Sequence, residues 1–225
     1  MEDLTDNERE EQLRQWWSEN WLWIVGGIAL GLAVLWGWQY WQRSRVEAAQ
    51  RDVTAYVDML SSLGQNKFDD ALTQAKALRE ANPASPYADQ ADLALARAAV
   101  EARKLDEAAQ RLRAVADGSK DAELRMIART RLARVLVEQG KHDESLALLD
   151  VASAGSFVAV YHDVRGDAFA GKGDSAAARR EYEAALAASE GSIDIDRAYV
   201  ELKRDALPAA AAAPVAAAAG GASGK

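Results

Sequence analysis

The chain of 225 residues contains no cysteine, and this absence excludes several classes of protein at once. A disulfide framework, a thiolate nucleophile, a cysteine-based zinc site and a lipoprotein attachment all require that residue. Histidine occurs only at His142 and His162, which fall in different predicted helices. The sequence has no G-x-S-x-G, P-loop, Rossmann or H-E-x-x-H pattern. We therefore expect no enzyme, no metal site, no cofactor and no small-molecule substrate.

Basic residues are in the minority, with 27 Lys and Arg against 35 Asp and Glu and a net charge of -8. Nucleic acid is not expected as a partner, because neutralising its phosphates requires a basic surface. Residues 1–19 carry seven acids and two bases, a net charge of -5. More than half of the net charge therefore belongs to a short acidic N-terminal leader, and the remainder is nearly balanced.

Charge is absent altogether from residues 20–42, and Trp21 to Trp38 form an unbroken apolar run of 18 residues. As a helix, residues 21–41 would span about 30 Å, which is the thickness of the hydrocarbon core of a bilayer. Indole rings favour the headgroup boundary, so tryptophans at both edges predict two membrane belts. These are Trp16, Trp17, Trp21 and Trp23 on one side and Trp36, Trp38 and Trp41 on the other. We predict a single transmembrane helix at 20–42.

Two other interpretations of this apolar run were weighed. A buried core helix is disfavoured, because nothing else in the sequence is apolar enough to surround a helix that is hydrophobic on every face. A cleaved signal peptide is the stronger rival, but the preceding flank is long and acidic, and no small-x-small site follows. Gly27 and Gly31 form a GxxxG pattern that would let a second membrane helix approach closely, although glycine is also common in such helices.

Charge counting leaves the orientation of the span open. Arg9 and Arg14 precede it, and Arg43, Arg45 and Arg51 follow it, which slightly favours a cytoplasmic C-terminal domain. The rule weakens for long translocated domains, and one charge decides little.

The sequence beyond residue 45 repeats itself. Gln65–Leu72, Ala102–Ala109, Gln139–Leu146 and, more weakly, Lys172–Arg179 align at small positions spaced 37, 37 and 33 residues apart. These small positions are Ala71, Ala108, Ser145 and Ala178. Each copy lies between two apolar-periodic stretches, so the unit is a helix, a tight turn and a second helix. An aspartate near the start of each second helix predicts capping of its free N–H groups: Asp69, Asp106, Asp143 and Asp174.

The repeats resemble the tetratricopeptide repeat, and the fourth copy does so best, with Gly166, Phe169, Gly173, Ala178, Tyr182 and Ala185 in register. Breakers and caps predict helix pairs at 46–63 with 67–81, 86–102 with 105–117, 121–139 with 142–153, and 157–171 with 174–189. A capping helix at 193–206 and a flexible Ala/Pro/Gly tail at 207–225 would follow. The predicted fold is all-α, with one transmembrane helix and an α-solenoid of about four helix pairs over 46–206.

Stacked helix pairs form a concave groove lined by the first helix of each pair. Offsets from the small positions place five charged residues on or near it: Asp58, Arg97, Arg134, Asp163 and Asp167. They would bind a segment of another protein, or else form ion pairs within the domain. His142 takes the apolar slot of Phe68 and Leu105 in the sister copies, so we expect it to pack. We expect His162 to be partly buried or to have a surface role. Arg125, Arg129 and Arg131 are expected to form a solvated face, with a partner contact as the alternative.

The order of these features resembles the ancillary SecYEG translocon subunit family over nearly the whole chain except the tail. Trp16–Trp17, the Gly26–Gly27 helix and the turn Gly140–Glu144 carry the resemblance. It implies a bacterial inner-membrane protein with a cytoplasmic N-terminus and periplasmic repeats. It also implies partners: the SecYEG translocon and a membrane-anchored periplasmic chaperone of the peptidyl-prolyl isomerase type.

Two functions follow as hypotheses. The first is a tethered, chaperone-like adaptor that meets nascent secreted proteins as they leave the translocon. The second is a scaffold for a cell-envelope or division complex with no role in secretion. A hydrolase is the third and weakest, since the sequence offers no cluster of catalytic groups.

Overall fold

The computed structural model describes residues 6–189 and 195–208, and within these residues it contains α-helices, two short 3₁₀ turns and no strand. The helices are α1 Asp6–Gly64, α2 Phe68–Ala81, α3 Pro86–Glu101, α4 Leu105–Gly118, α5 Ala122–Glu138, α6 His142–Leu148, α7 Val158–Gly171, α8 Ser175–Ala188 and α9 Arg197–Asp205. The chain divides into two compact units, Met1–Thr54 and Ala55–Lys225.

The described part of the first unit belongs to α1. The stretch Leu13–Gly64 is the one described helix that is long and apolar enough to cross a membrane. No residue of its most apolar 18-residue stretch is buried by the described part of the chain. Trp23 and Trp36 are 82% and 76% exposed. A core helix would be covered by its own chain, so this finding contradicts the buried-core alternative.

Helix α1 does not end at residue 45. The prediction of a separate helix beginning at residue 46 was wrong, because the structure has one helix from Asp6 to Gly64. The connecting residues 42–45 contain neither glycine nor proline, and the Ser44 hydroxyl donates to the Trp41 carbonyl, at 2.9 Å, within the helix. Nothing in the local sequence therefore interrupts the backbone hydrogen bonding.

The second unit is a stack of helix pairs, as the repeats predict. Residues 55–64 of α1 pair with α2, α3 with α4, α5 with α6, and α7 with α8, and α9 follows as the capping helix. Most predicted boundaries agree with the structure to within a residue or two. The exceptions are α6 and α9.

Helix α6 was predicted to reach residue 153 but ends at Leu148. Leu149 is fully buried, and the Asp150 carboxylate accepts a hydrogen bond from the Ala152 N–H at 3.1 Å. This local bond competes with the helix and begins the 3₁₀ turn Val151–Ser153.

Helix α9 begins at Arg197, where the Asp196 carboxylate caps it by accepting from the Tyr199 N–H at 3.0 Å. The predicted start at residues 193–194 lies outside the described residues. So do residues 1–5 of the predicted leader and residues 209–225 of the predicted tail.

The turn inside each helix pair has the same geometry in all four copies. Asn66, Arg103, Gly140 and Gly173 have φ values of 59°, 59°, 73° and 79°, in the left-handed region. In each copy the next residue donates its N–H to a carbonyl five residues back, as Lys141 does to Leu136 at 2.8 Å. This bond closes the first helix in a Schellman motif and reverses the chain direction.

The predicted aspartate caps are confirmed only in the fourth copy, where the Asp174 carboxylate accepts from the Ala177 N–H at 2.9 Å. In the other three, lysine occupies the N-cap position and makes no side-chain cap bond. Asp69, Asp106 and Asp143 lie inside the first turn instead, where their charge meets the positive end of the helix dipole.

The small positions are buried at the centres of the helix pairs. Ala71, Ala108, Ser145 and Ala178 are all 0% exposed, which confirms that close helix approach requires small side chains. The Ser145 hydroxyl satisfies its polarity by donating to the Ala133 carbonyl at 3.0 Å. A Cβ at Gly166 would lie 2.4 Å from the Tyr182 ring, so glycine there admits the aromatic of the fourth copy.

Candidate protein-binding groove

The first helices of the pairs lie side by side and form one surface of the second unit, and this surface has three adjacent depressions. Residues eleven positions before each small position lie along this face: Leu60, Arg97, Arg134 and Asp167. All three depressions lie within the second unit. We name them the first, central and last depressions, in chain order.

The first depression has a volume of about 540 Å³, which is within the range of small ligand pockets. It lies between the end of α1 and α3, and Leu60, Phe68, Ala94, Arg97, Glu101 and Lys104 are among its lining residues. The central depression has a volume of about 300 Å³ and lies between α3 and α5. Its lining is Leu93, Ala96, Arg97, Val100, Leu112, Arg131, Arg134 and Val135.

The last depression, with a volume of about 750 Å³, lies between α5, α7 and α9. Thr130, Arg131, Arg134, Val160, Asp163, Asp167, Tyr199 and Lys203 are among its lining residues. Because Arg97 lines both the first and the central depression, and Arg131 and Arg134 line both the central and the last, the three form one groove.

The acidic side chains of the last depression are already paired. The ammonium of Lys203 on α9 donates hydrogen bonds to Asp163 and, at 2.7 Å, to Asp167. Arg134 approaches Asp163 at 3.5 Å, and the Tyr182 hydroxyl donates to Asp167 at 2.8 Å. Asp163 and Lys203 are mostly buried, with 9% and 16% of their side chains exposed. The capping helix therefore supplies a cation that both aspartates share at this end of the groove.

Tyr182 remains a hydrogen-bond donor at any physiological pH. Its burial, and then the charge of Asp167 and the hydrogen bond to it, raise the pKa of Tyr182 far above its ordinary value. The neutral phenol thus continues to hold Asp167 toward Lys203.

The structure brings four of the five predicted groove residues to this face. Arg97, Arg134, Asp163 and Asp167 line the depressions. Asp58 is exposed on α1 and lines none of the three depressions described here. It lies thirteen positions before its small position, whereas Leu60 occupies the equivalent eleventh.

The predicted membrane residues lie on α1 and are exposed. Trp16, Trp17, Trp21, Trp23, Trp36, Trp38 and Trp41 are between 46% and 82% exposed. A Cβ added at Gly27 or Gly31 meets nothing within 4 Å, so no described part of this chain covers the GxxxG face. Their roles as belt and helix-packing residues stay predictions.

The two histidines have packing roles. A Cβ at Gly171 would lie 2.3 Å from the His142 ring, so the imidazole sits against that glycine at the start of α6, as predicted. His162 is partly buried, also as predicted, with its Nδ1 2.7 Å from the Glu181 carboxylate. Within residues 6–189 and 195–208, no group of three or more His, Asp or Glu side chains is arranged to hold a metal ion.

Glu181 joins α8 to α7 through Arg165 and His162. Arg165 donates to it from Nε and from the terminal guanidinium nitrogen, at 3.0 and 2.9 Å. Burial alone would raise the pKa of Glu181, but the hydrogen bonds from Arg165 and His162 outweigh burial and hold the pKa below its ordinary value.

Sequence reasoning missed Lys203 and the apolar floor of the groove. Lys203 was missed because only the tertiary placement of α9 brings it to α7. Leu60, Leu93 and Val100 were missed because charged residues alone were considered, although the repeat offsets that locate Arg97 and Arg134 locate Leu60 as well. Arg131 was interpreted as part of a solvated face; it is exposed, and it also lines the groove.

Stacked helix pairs with small residues at their crossings and a groove along the first helices define a tetratricopeptide repeat-like protein. The sequence model of the tetratricopeptide repeat-like domain matches residues 14–209, which is most of the chain. No solved structure matches the chain significantly.

Two curated relatives narrow this class. The ancillary SecYEG translocon subunit of Escherichia coli K12 is 30% identical over 181 residues, covering 80% of this chain and 87% of the relative. The protein of the same name from Haemophilus influenzae is 29% identical over 103 residues, covering 44% of this chain and 48% of that relative. The chain belongs to the family of ancillary SecYEG translocon subunits.

Proposed function

We propose that the protein is a membrane-tethered interaction module that associates with the SecYEG translocon. The name of the relatives supports the partner, and the exposed apolar stretch of α1 supports the tether. Three connected depressions on the first helices are the observation that carries the interaction role, because a preformed concave surface is where repeat proteins bind.

The groove has the composition of a protein-binding surface. Val100 and Leu60 are 37% and 38% exposed on it, and arginines border them. Apolar centres bordered by arginine are typical of interfaces between proteins. We place the contact with partner segments here, and the contact with lipid and with a second membrane helix on α1, through the tryptophan belts and the Gly27–Gly31 face.

We further propose a role for this contact in the handover of secreted proteins. The protein would link the channel to a membrane-anchored periplasmic chaperone of the peptidyl-prolyl isomerase type and assist the handover of nascent secreted proteins. This requires a cytoplasmic N-terminus, a single transmembrane segment within 20–42 and repeats over 46–206 in the periplasm. We propose no catalytic step.

The association is tested by purifying the full chain from native membranes in mild detergent and probing for the SecYEG subunits and the chaperone. We expect both to copurify with the wild-type protein. Recovery of envelope or division proteins without SecYEG subunits would instead support the scaffold hypothesis and contradict this proposal.

The orientation is tested by adding protease to spheroplasts. Periplasmic repeats should be digested from outside, whereas a cytoplasmic control protein survives. If the repeats resist digestion until the membrane is lysed, the periplasmic placement is wrong, but the copurification result is unaffected.

A further inference from the structure

The central depression has an unusual lining. Each of its lining residues is either an arginine, at Arg97, Arg131 and Arg134, or an apolar residue of α3, α4 or α5. Neither aspartate nor glutamate contributes to it. In a protein with a net charge of -8, this part of the groove is therefore locally cationic.

The three arginines are only weakly satisfied within the chain. Arg97 pairs with Glu101 one turn along α3, at 2.9 Å, with 80% and 64% of the two side chains exposed. Such exposed pairs contribute little to stability and break readily. Arg134 meets Asp163 only at 3.5 Å. Among the described residues, Arg131 forms no ion pair.

Three acids that line the last depression each pair with a cation outside the central depression. Asp163 and Asp167 share the ammonium of Lys203, so both carboxylates already have a cation from the capping helix. The exposed Glu138 is bonded to Arg103, at 2.7 Å. Carboxylates of a partner protein would therefore pair with the three arginines.

The apolar floor specifies the rest of the occupant. Leu93, Leu112 and Val135 are 6% or less exposed and form a hydrophobic base, and Val100 is exposed above it. A volume of about 300 Å³ lies at the lower end of the range for ligand pockets, and it accommodates a few aliphatic side chains.

We propose that the central depression binds an acidic amphipathic segment of a partner protein. Its aliphatic side chains would fill the floor, and its carboxylates would accept hydrogen bonds from Arg97, Arg131 and Arg134. Guanidinium groups suit this role, because their planar donors match a carboxylate in a bidentate arrangement. This inference rests on the groove being a protein-binding surface, as proposed above, and adds the chemistry that it selects.

The test uses the full chain in detergent micelles and a fluorescein-labelled peptide built from Leu-Glu-Glu-Leu units. Matched peptides of Leu-Gln-Gln-Leu and Leu-Lys-Lys-Leu units keep the leucines and change only the charge. Fluorescence anisotropy should show binding of the glutamate peptide, weaker binding of the glutamine peptide and none of the lysine peptide. Added salt should weaken the binding, because the contacts are ionic.

Single substitutions locate the site. Arg131→Gln and Arg97→Gln should each weaken binding of the glutamate peptide about tenfold, which corresponds to about 1.4 kcal/mol for a lost charge-assisted contact. Arg180→Gln is the matched control, because Arg180 is exposed on α8 and lines none of the three depressions. Thermal unfolding of each variant shows whether the fold is retained.

Three outcomes would overturn the inference. They are equal binding of the glutamine peptide, equal losses in Arg131→Gln and Arg180→Gln, and displacement of the peptide by self-association or by anionic lipid vesicles. If SecYEG subunits copurify but the peptide does not bind, only this inference fails. If the peptide binds but no SecYEG subunit copurifies, the proposed function fails and the chemistry of the depression stands.

Discussion

A single left-handed residue ends the first helix of every pair, and the four copies fill that position differently. Gly140 and Gly173 adopt the conformation freely, whereas Asn66 and Arg103 carry a Cβ there. A non-glycine residue in this region costs roughly 1–2 kcal/mol because its Cβ crowds the following carbonyl. The glycines therefore contribute to stability through the backbone alone.

Gly140→Ala should lower the free energy of unfolding by about 1 kcal/mol. A Cβ at position 140 meets nothing within 4 Å, so the cost is conformational and not steric. Denaturant titration of the full chain, followed by circular dichroism, measures it.

The matched control is Gly118→Ala at the end of α4, where a Cβ also meets nothing and φ is not positive. The control should leave stability unchanged or slightly raise it. Equal destabilisation by the two substitutions would show that backbone conformation is not the cause.

Glu181 makes stability depend on pH on the acidic side. Its folded-state pKa is depressed by Arg165 and His162, so its contribution is fully present above the ordinary value near 4.5 and is lost as pH falls through the folded pKa. Glu181→Gln should lower stability at neutral pH and flatten the loss of stability below about pH 4.5. Thermal melts from pH 7 to pH 3 would contradict this if both proteins lost stability in parallel.

At the scale of elements, the capping helix is held by one buried lysine as much as by its apolar face. Val200 is 2% exposed in the core with Tyr182 and Val164, and Lys203 joins α9 to α7 through Asp163 and Asp167. Helix α9 thus covers the last repeat and fixes the charge of the neighbouring groove.

Lys203→Met should destabilise the fold by about 2–3 kcal/mol, because it leaves two largely buried carboxylates without their cation. Hydrogen exchange measured by mass spectrometry should show faster exchange in α9 and in the first half of α7. Lys120→Met, at an exposed lysine, is the control and should change neither. Unchanged protection of α9 in Lys203→Met would mean that its apolar contacts alone hold it.

Sequence periodicity predicted the elements well, because local signals specify them. The small residues Ala71, Ala108, Ser145 and Ala178 mark each pair directly in the sequence, and glycine marks the turn in the last two. The pairing of Lys203 with Asp163 was not predictable, since it joins residues 40 positions apart through the packing of α9. The early end of α6 was also not predictable from the apolar pattern alone, because it follows the local hydrogen bond that Asp150 accepts from the Ala152 N–H.

At the scale of the whole molecule, the two units have different roles. The first unit supplies an exposed apolar helix for the membrane. The second supplies a groove whose cationic centre lies between a mixed first depression and a last depression in which Lys203 of α9 pairs with Asp163 and Asp167. On this account, the tether determines where the protein acts and the groove determines what it binds.

The central claim is that the groove is the surface that meets translocon-associated partners. Site-specific photocrosslinking in native membranes tests it most directly, with a photoreactive residue at Val100 in the central depression and, for comparison, at Arg180 on α8. We predict that Val100 crosslinks to a SecYEG subunit or to a protein that copurifies with the channel, and that Arg180 does not. Crosslinks to these proteins from Arg180 but none from Val100 would contradict the account.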